Sequence, residues 1–388
     1  MARSLYICYF GVREPLVQTQ VIPYLRELQK GGHEISLLTF EPEGGDPAFG
    51  EVLRSQGIDW HSLRYHKSPS VPATLFDILN GARYVAGMQL KRKFDILHAR
   101  AHIALLMARL GNIWANSKVI FDLRGLIADE YVDAGIWTQD SIVYRSIKRL
   151  EATGLKESEG VVVLTERLRR YLEENSLRRG KPTEVIPCCV RSFSGERFKS
   201  DNFELVYAGS VIGLYMLEEM GRFFVALKKV KPDAFFRILT KSSPEIVRTT
   251  FDRIGIHGQH YEVKSVNPDD VGSILQSARI AISFRKPTFS QIGASPTKIA
   301  EYLAAGLPIV MNAGVGDMDE IIRQTRTGVI IEDFSEAEIT RAVDQIIELT
   351  SDKDIESRTR NAASERFDLK NVGGVRYVNL YERVLNRA

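Results

Sequence analysis

The sequence predicts an α/β protein made of two doubly wound, parallel-sheet domains. Three observations carry this. Short apolar runs of strand length alternate with amphipathic stretches of helix length along the chain, the pattern of parallel sheets covered by helices on both faces. At 388 residues the chain is long enough for two domains of ordinary size. A polar stretch over residues 192–202 interrupts the alternation and reads as a linker. It divides the chain into domains at 1–191 and 203–366, with 367–388 as a closing helix.

In the first half, residues 5–10 form an apolar strand and Gly11 opens a loop. A helix is predicted over 17–29, where Val21, Tyr24, Leu25 and Leu28 share a face; Pro23 predicts a kink or a later start. Gly31 and Gly32 end it, and His33 leads into a strand over 34–40. The next strand, 95–98, ends in His98-Ala99-Arg100, ahead of a helix over 104–110. Side chains at the carboxyl end of such a strand face the ligand crevice, which makes Arg100 a candidate for contact with a substrate phosphate or hydroxyl, or else a surface residue capping the helix region. A strand over 118–122 then delivers Arg124, a Gly125 turn, Asp129 and Glu130 within a few residues. Arg124 can neutralise substrate charge. Asp129 or Glu130 can take a proton, or the pair can simply form the acidic first turn of a helix. A strand over 160–164, a helix beginning at Thr165-Glu166 and a strand over 184–187 close this half.

The second half begins with a strand over 203–207 that ends in Ala208-Gly209-Ser210, then a helix over 216–228 and a strand over 234–239 that delivers Lys241. The most informative stretch is 280–320. An apolar strand, 280–284, leads through a polar loop to Ser295-Pro296, an N-cap followed by proline at the first helical position. The helix, with Thr297 and Lys298 in its first turn, stops at Gly306, and Pro308 lies just beyond. This places a helix N-terminus at the carboxyl edge of a parallel sheet, an anion site by its free amides and its dipole. Lys298 beside it suits a phosphate. Glu301, three residues on and on the same face, suits the hydroxyls of a ribose. A capped core helix whose Lys and Glu pair in solvent is the other reading of this spacing.

SPTKIAEYLAAGLPIV, residues 295–310, resembles the donor-binding signature of family-4 glycosyltransferases, retaining enzymes of the GT-B fold that use nucleotide sugars. Further likeness runs through the Gly11 loop, FDLRGLIADEYVDAGIW (121–137), IPCCV before the linker and GSVIGLYMLEEM (209–220). The resemblance implies two Rossmann-like domains with a cleft between them. The nucleotide sugar would be held by the second domain through Gly209, Ser210, Lys241, Ser295, Thr297, Lys298 and Glu301. The acceptor would meet the first through Gly11, His98, Arg100, Arg124 and Glu130. Arg124, Asp129 and Lys298 would be catalytic, and the last helix would return to the first domain. The family needs no metal or other cofactor, and its acceptors include saccharide, lipid-linked and other glycoconjugate molecules. The sequence departs from the family at Cys188-Cys189, where Asn-Gly is commoner, and at three donor-side places. Gly293 stands where the first Glu of an E-x7-E motif would be, with Glu301 as the second. Ser210 and Tyr215 stand where many members carry an Arg and a Lys for the phosphates. These donor-side departures keep a non-catalytic sugar-nucleotide or partner-protein binder open, and a nucleotide-sugar 2-epimerase, another GT-B enzyme class, is the second alternative.

Composition is that of a globular protein, 44% hydrophobic and 26% charged. The net charge of +3 is too small to point to nucleic acid. Three cysteines, Cys8, Cys188 and Cys189, make neither a disulfide framework nor a metal-ligand spacing, and fit a reducing compartment. The opening residues read as a strand rather than a signal peptide, and no apolar run approaches the roughly 18 residues of a spanning helix. The expectation is a cytoplasmic protein. Basic clusters at Lys91-Arg92-Lys93, Arg145/Lys148/Arg149 and Arg167/Arg169/Arg170 offer a peripheral contact with the inner membrane face, or are solvated helix faces.

Overall fold

The computed structural model describes residues 1–42, 45–178, 180–193, 197 and 202–386. Most of the linker expected over 192–202 lies outside the described residues, as do the last two positions of the closing helix. The chain forms two compact units, Met1–Pro187 with Leu369–Ala388, and Cys188–Asp368.

The first unit is built on seven strands: β1 (Arg3–Cys8), β2 (Glu34–Glu41), β3 (Asp59–Arg64), β4 (Ile96–Arg100), β5 (Lys118–Asp122), β6 (Gly160–Val163) and β7 (Thr183–Val185). Their spatial order is β3-β2-β1-β4-β5-β6-β7, and every pairing is parallel. The order reverses between β1 and β4. β1 and β4 are buried over nearly their whole length, because helices cover both faces. The helix expected over 17–29 is two helices, Pro15–Gln20 and Ile22–Lys30, broken at Val21 (φ −128°, ψ −70°). The break precedes Pro23, which sits in the first turn of the second helix, where its missing N–H costs nothing.

Residues 369–386 complete this unit. The Val375–Leu385 helix buries Tyr377, Leu380, Tyr381 and Val384. The Tyr377 hydroxyl donates to Asp122 Oδ2 at 3.1 Å, and the Tyr381 hydroxyl lies 3.0 Å from His98 Nδ1.

The second unit has six strands, β8 (Glu204–Ala208), β9 (Phe235–Leu239), β10 (Tyr261–Lys264), β11 (Ile280–Ser283), β12 (Ile309–Asn312) and β13 (Gly328–Ile331). They run parallel in the order β10-β9-β8-β11-β12-β13, reversing between β8 and β11. One face carries an aromatic-rich core around Phe223, Phe224, Phe236, Phe251 and Phe284. The other packs Ile299, Tyr302 and Leu303 of the Thr297–Ala304 helix against Val206, Ala281 and Ile309.

Ser295 is not the N-cap of that helix. Pro296 occupies the cap position, and no side chain caps the first amides. The Ser295 hydroxyl accepts instead from the Cys188 N–H at 3.1 Å.

Candidate functional site

In an open parallel sheet, ligands bind outside the carboxyl ends of the strands where the order reverses. In the second unit these are β8 and β11. After β8, Gly209 takes φ +133°, which a side chain would strain. A Cβ there would also approach Lys298 Cε to 2.9 Å and collide with its Nζ. Lys298 reaches this loop from the second residue of the Thr297–Ala304 helix. It is only 8% exposed, donates to the Tyr207 hydroxyl at 2.8 Å, and stands 4.1 and 4.0 Å from the ring centroids of Tyr207 and Tyr215. Burial pushes its pKa well below the ordinary lysine value; Arg285 pushes the same way, and Glu301 only partly opposes them. Among the described residues, no carboxylate lies within ion-pair distance of its ammonium.

Arg285 follows β11. Its N–H donates to Asn312 Oδ1 at 2.8 Å, Asn312 Nδ2 donates back to its carbonyl at 2.9 Å, and an antiparallel bridge joins it to Tyr215. Its guanidinium carbon lies 5.0 Å from the Tyr215 ring centroid. Sequence reasoning missed Arg285 and Tyr207, and noted Tyr215 only as the place of an absent lysine. The available signal was a cation directly after a buried strand, the position that had made Arg100 a candidate.

The remaining donor-side residues differ in how they are held. Glu301 is half-buried, and no side-chain hydrogen bond engages its carboxylate among the described residues; burial raises its pKa while Lys298 opposes the rise. Thr297 is half-buried and Ser295 buried. Ser210 is exposed, its hydroxyl accepting from the Ile212 N–H at 3.3 Å and its carbonyl from the Tyr207 hydroxyl. Lys241 is exposed at the bend after β9. Gly293 is buried in the short 3-10 turn Phe289–Gly293.

In the first unit, Asp122 at the end of β5 is the hub. It is fully buried and accepts from Tyr6, Tyr377, Arg100 and Arg124 at 3.1–3.5 Å. Burial alone would raise its pKa, but Arg124, His98 and Arg100 outweigh burial and hold the carboxylate ionised far below the usual range. Arg100 and His98 are thus buried within this network, and burial pushes the His98 imidazole toward its neutral form. Gly11 lies against Glu41, whose Oε2 would be 2.9 Å from a Cβ there. Arg124 is mostly buried, leading into Gly125 (φ +152°), and a Cβ on Gly125 would stand 2.5 Å from Glu130 Oε1. Asp129 accepts from Tyr144 at 3.0 Å and Lys148 at 2.8 Å; Lys148 in turn bonds Glu151 at 2.6 Å.

The basic clusters are in good part neutralised. Arg92 pairs with Asp59, Arg145 with Asp140, Lys148 with Asp129 and Glu151, and Arg169 with Glu166 and Glu173. Exposed apolar side chains include a row on the Ser70–Arg92 helix, where Val71, Leu75, Phe76 and Leu79 are each more than half exposed, and single residues such as Leu90, Trp114 and Ile142.

Residues 17–189 match the family described as glycosyl transferase 4-like domain, and residues 195–366 match glycosyl transferases group 1. The chain belongs to the family-4-like glycosyltransferases. It is therefore a transferase, and its two parallel-sheet units are those of the GT-B fold. Solved structures agree on the fold. A glycosyltransferase from Rickettsia africae is 16% identical with a TM-score of 0.72, over 100% of this chain and 99% of that one. A sucrose-phosphate synthase from Thermosynechococcus elongatus is 12% identical at TM-score 0.73, over 99% of each. The Anabaena protein HepE, in complex with UDP and glucose, is 13% identical at TM-score 0.69, over 98% of this glycosyltransferase and 100% of HepE. No curated protein matches the chain in sequence.

Proposed function

We propose that this glycosyltransferase takes a sugar from a nucleoside-diphosphate sugar and passes it, with retention at the anomeric carbon, to a saccharide, lipid-linked or other glycoconjugate acceptor in surface-polysaccharide or glycoconjugate synthesis. The observation that carries the reading is Lys298, a buried ammonium without a carboxylate partner among the described residues, lying on a glycine loop where the strand order reverses. A buried charge of this kind is costly without a counter-ion, and a diphosphate supplies one. No side chain caps the Thr297–Ala304 helix, so the Thr297 and Lys298 amides at its start add donors there. Glu301, one turn along, suits the ribose hydroxyls.

The bond between the anomeric carbon and the diphosphate oxygen breaks as the acceptor oxygen attacks from the same face, and the acceptor proton passes to the departing phosphate oxygen. Lys298 stabilises the charge that develops on that oxygen, so catalysis is positioning plus electrostatics. This reading gives the neutralising role to protein cations and amides rather than to a metal. On the acceptor side, Arg124 and Glu130 are the contact candidates, and Asp129 braces their loop through Tyr144 and Lys148. The exposed row Val71, Leu75, Phe76 and Leu79 supports contact with the inner face of a membrane, as for an interfacial helix. No helix among the described residues is long and apolar enough to cross one.

A thermal-shift panel of nucleoside diphosphates and their sugars tests the reading. Ligand at about 100 times its Kd should stabilise the protein by about 2.7 kcal/mol. If no nucleoside diphosphate or its sugar raises Tm at millimolar concentration, the reading is wrong. Incubating the selected donor without acceptor separates the alternatives: an epimerase alters it, and a non-catalytic binder neither hydrolyses nor transfers it.

A further inference from the structure

Two cations converge on one ring in the second unit. Lys298 Nζ lies 4.0 Å and the Arg285 guanidinium carbon 5.0 Å from the centroid of Tyr215. Among the described residues neither has a carboxylate within ion-pair distance; Arg285 Nε is buried with no hydrogen-bond partner, as Arg100 Nε and Arg178 Nε also are, so it is the missing counter-charge that sets Arg285 apart. Elsewhere in the fold, buried or half-buried arginines are matched: Arg100 by Asp122, Arg237 by Glu204 and Glu262, Arg178 by four carbonyls. Two like charges beside each other, one deeply buried, repel unless something negative lies between them. The face of an aromatic ring eases such repulsion by only about 1–2 kcal/mol.

The backbone holds Arg285 in place. Asn312 bonds both its N–H and its carbonyl, the Lys286 N–H donates to the Leu214 carbonyl at 2.9 Å, and the Met216 N–H donates to the Phe284 carbonyl at 3.1 Å. The segment carrying Tyr215 is thus laced to the one carrying Arg285, at the carboxyl ends of β8 and β11. The planar guanidinium presents a fork of donors suited to two phosphate oxygens.

We propose that Arg285, held over the Tyr215 ring, is a diphosphate-binding residue of the donor site and supplies the second cation missing at Ser210 and Tyr215. The inference rests on the donor-site reading above and adds a ligand to it. Tyr215 then serves as a platform that orients the guanidinium instead of as a lost lysine. The arrangement discriminates by charge: it favours a diphosphate over a monophosphate, and a monophosphate over the uncharged nucleoside.

The test titrates UDP, ADP, GDP, their monophosphates and nucleosides, and inorganic pyrophosphate against the wild-type protein, Arg285→Gln and Arg285→Lys. Losing one charge-assisted contact should weaken the preferred diphosphate and pyrophosphate about 10- to 100-fold in Arg285→Gln. The monophosphate should lose less and the nucleoside nothing, with Arg285→Lys intermediate. Adding Ser210→Arg to Arg285→Gln should recover part of the loss, which a merely structural role for Arg285 would not allow. If Arg285→Gln binds the diphosphate within about twofold of wild type, or loses nucleoside and diphosphate equally, the proposal is overturned while the donor site stands. If the wild type binds none of the diphosphates, the donor-site reading itself has failed.

Discussion

Replacing Lys298 by methionine should separate binding from folding. The substitution keeps the length of the stem and most of its volume, while the ammonium goes together with its bond to Tyr207 and its place over the Tyr207 and Tyr215 rings. A charge-assisted hydrogen bond contributes about 1.5–3 kcal/mol, so diphosphate affinity should fall about 10- to 150-fold. Turnover should fall further, since the same ammonium faces the oxygen that gains charge in the transition state. The ligand-free protein should behave oppositely. Its Lys298 ammonium is buried with only Glu301 to oppose Arg285, so removing it relieves a desolvation cost offset in part by the bond lost to Tyr207. A gain of about 1 kcal/mol, or about 2–4 °C in Tm for a domain of this size, is expected. Calorimetric titration and a ligand-free melting curve read the two effects. A variant that melts well below wild type yet binds the diphosphate within threefold would show that Lys298 is a structural residue, and the electrostatic reasoning would be wrong.

Four further outcomes are expected. Diphosphate binding should raise the depressed pKa of Lys298, so affinity is full below the free-protein pKa and declines as pH rises from that value toward the bound one; proton uptake measured in two buffers of different ionisation enthalpy checks the sign. By the same linkage, this group makes the ligand-free protein more stable as pH rises from its folded pKa toward the unfolded value of 10.5, seen as a rising Tm over that window. Gly209→Ala combines a left-handed φ with a clash on Lys298, and should cost about 1–3 kcal/mol of stability and most donor affinity, measured by denaturant titration and diphosphate binding. Leu75→Glu with Leu79→Glu should abolish sedimentation with anionic vesicles and leave diphosphate affinity unchanged, whereas unchanged sedimentation would remove the membrane contact.

Much of the architecture was legible because a strand buried on both faces writes itself as an uninterrupted apolar run. β5 was placed to the residue, and β2 and β6 to within one. The edge strands β3 and β10 were not legible: DWHSLR and YEVK are half-exposed and carry too little apolar signal. The helix break at Val21 was foreshadowed by Pro23 but fell two residues earlier, where the chain could accommodate a proline in a first turn. Lys298 and its helix stood out because both lie in one contiguous stretch. Ser295 was misassigned because its cap pattern is local, whereas its hydroxyl answers an amide more than a hundred residues away in the sequence. Arg285 was missed for the same reason. Its partner, Tyr215, lies on a segment that becomes a neighbour only once β8 and β11 pair.

Asp122 ties together segments from opposite ends of the chain: Tyr6 on the first strand and Tyr377 on the last helix both bond its carboxylate. The order of events during synthesis follows from this. Domains ordinarily complete themselves in the order in which the ribosome releases them. Here the second unit, contiguous over Cys188–Asp368, can close on its own as it emerges. The first must wait with the ionised Asp122 lacking its final partner until residues 369–386 arrive, so the earlier-made half of this transferase is the later to mature.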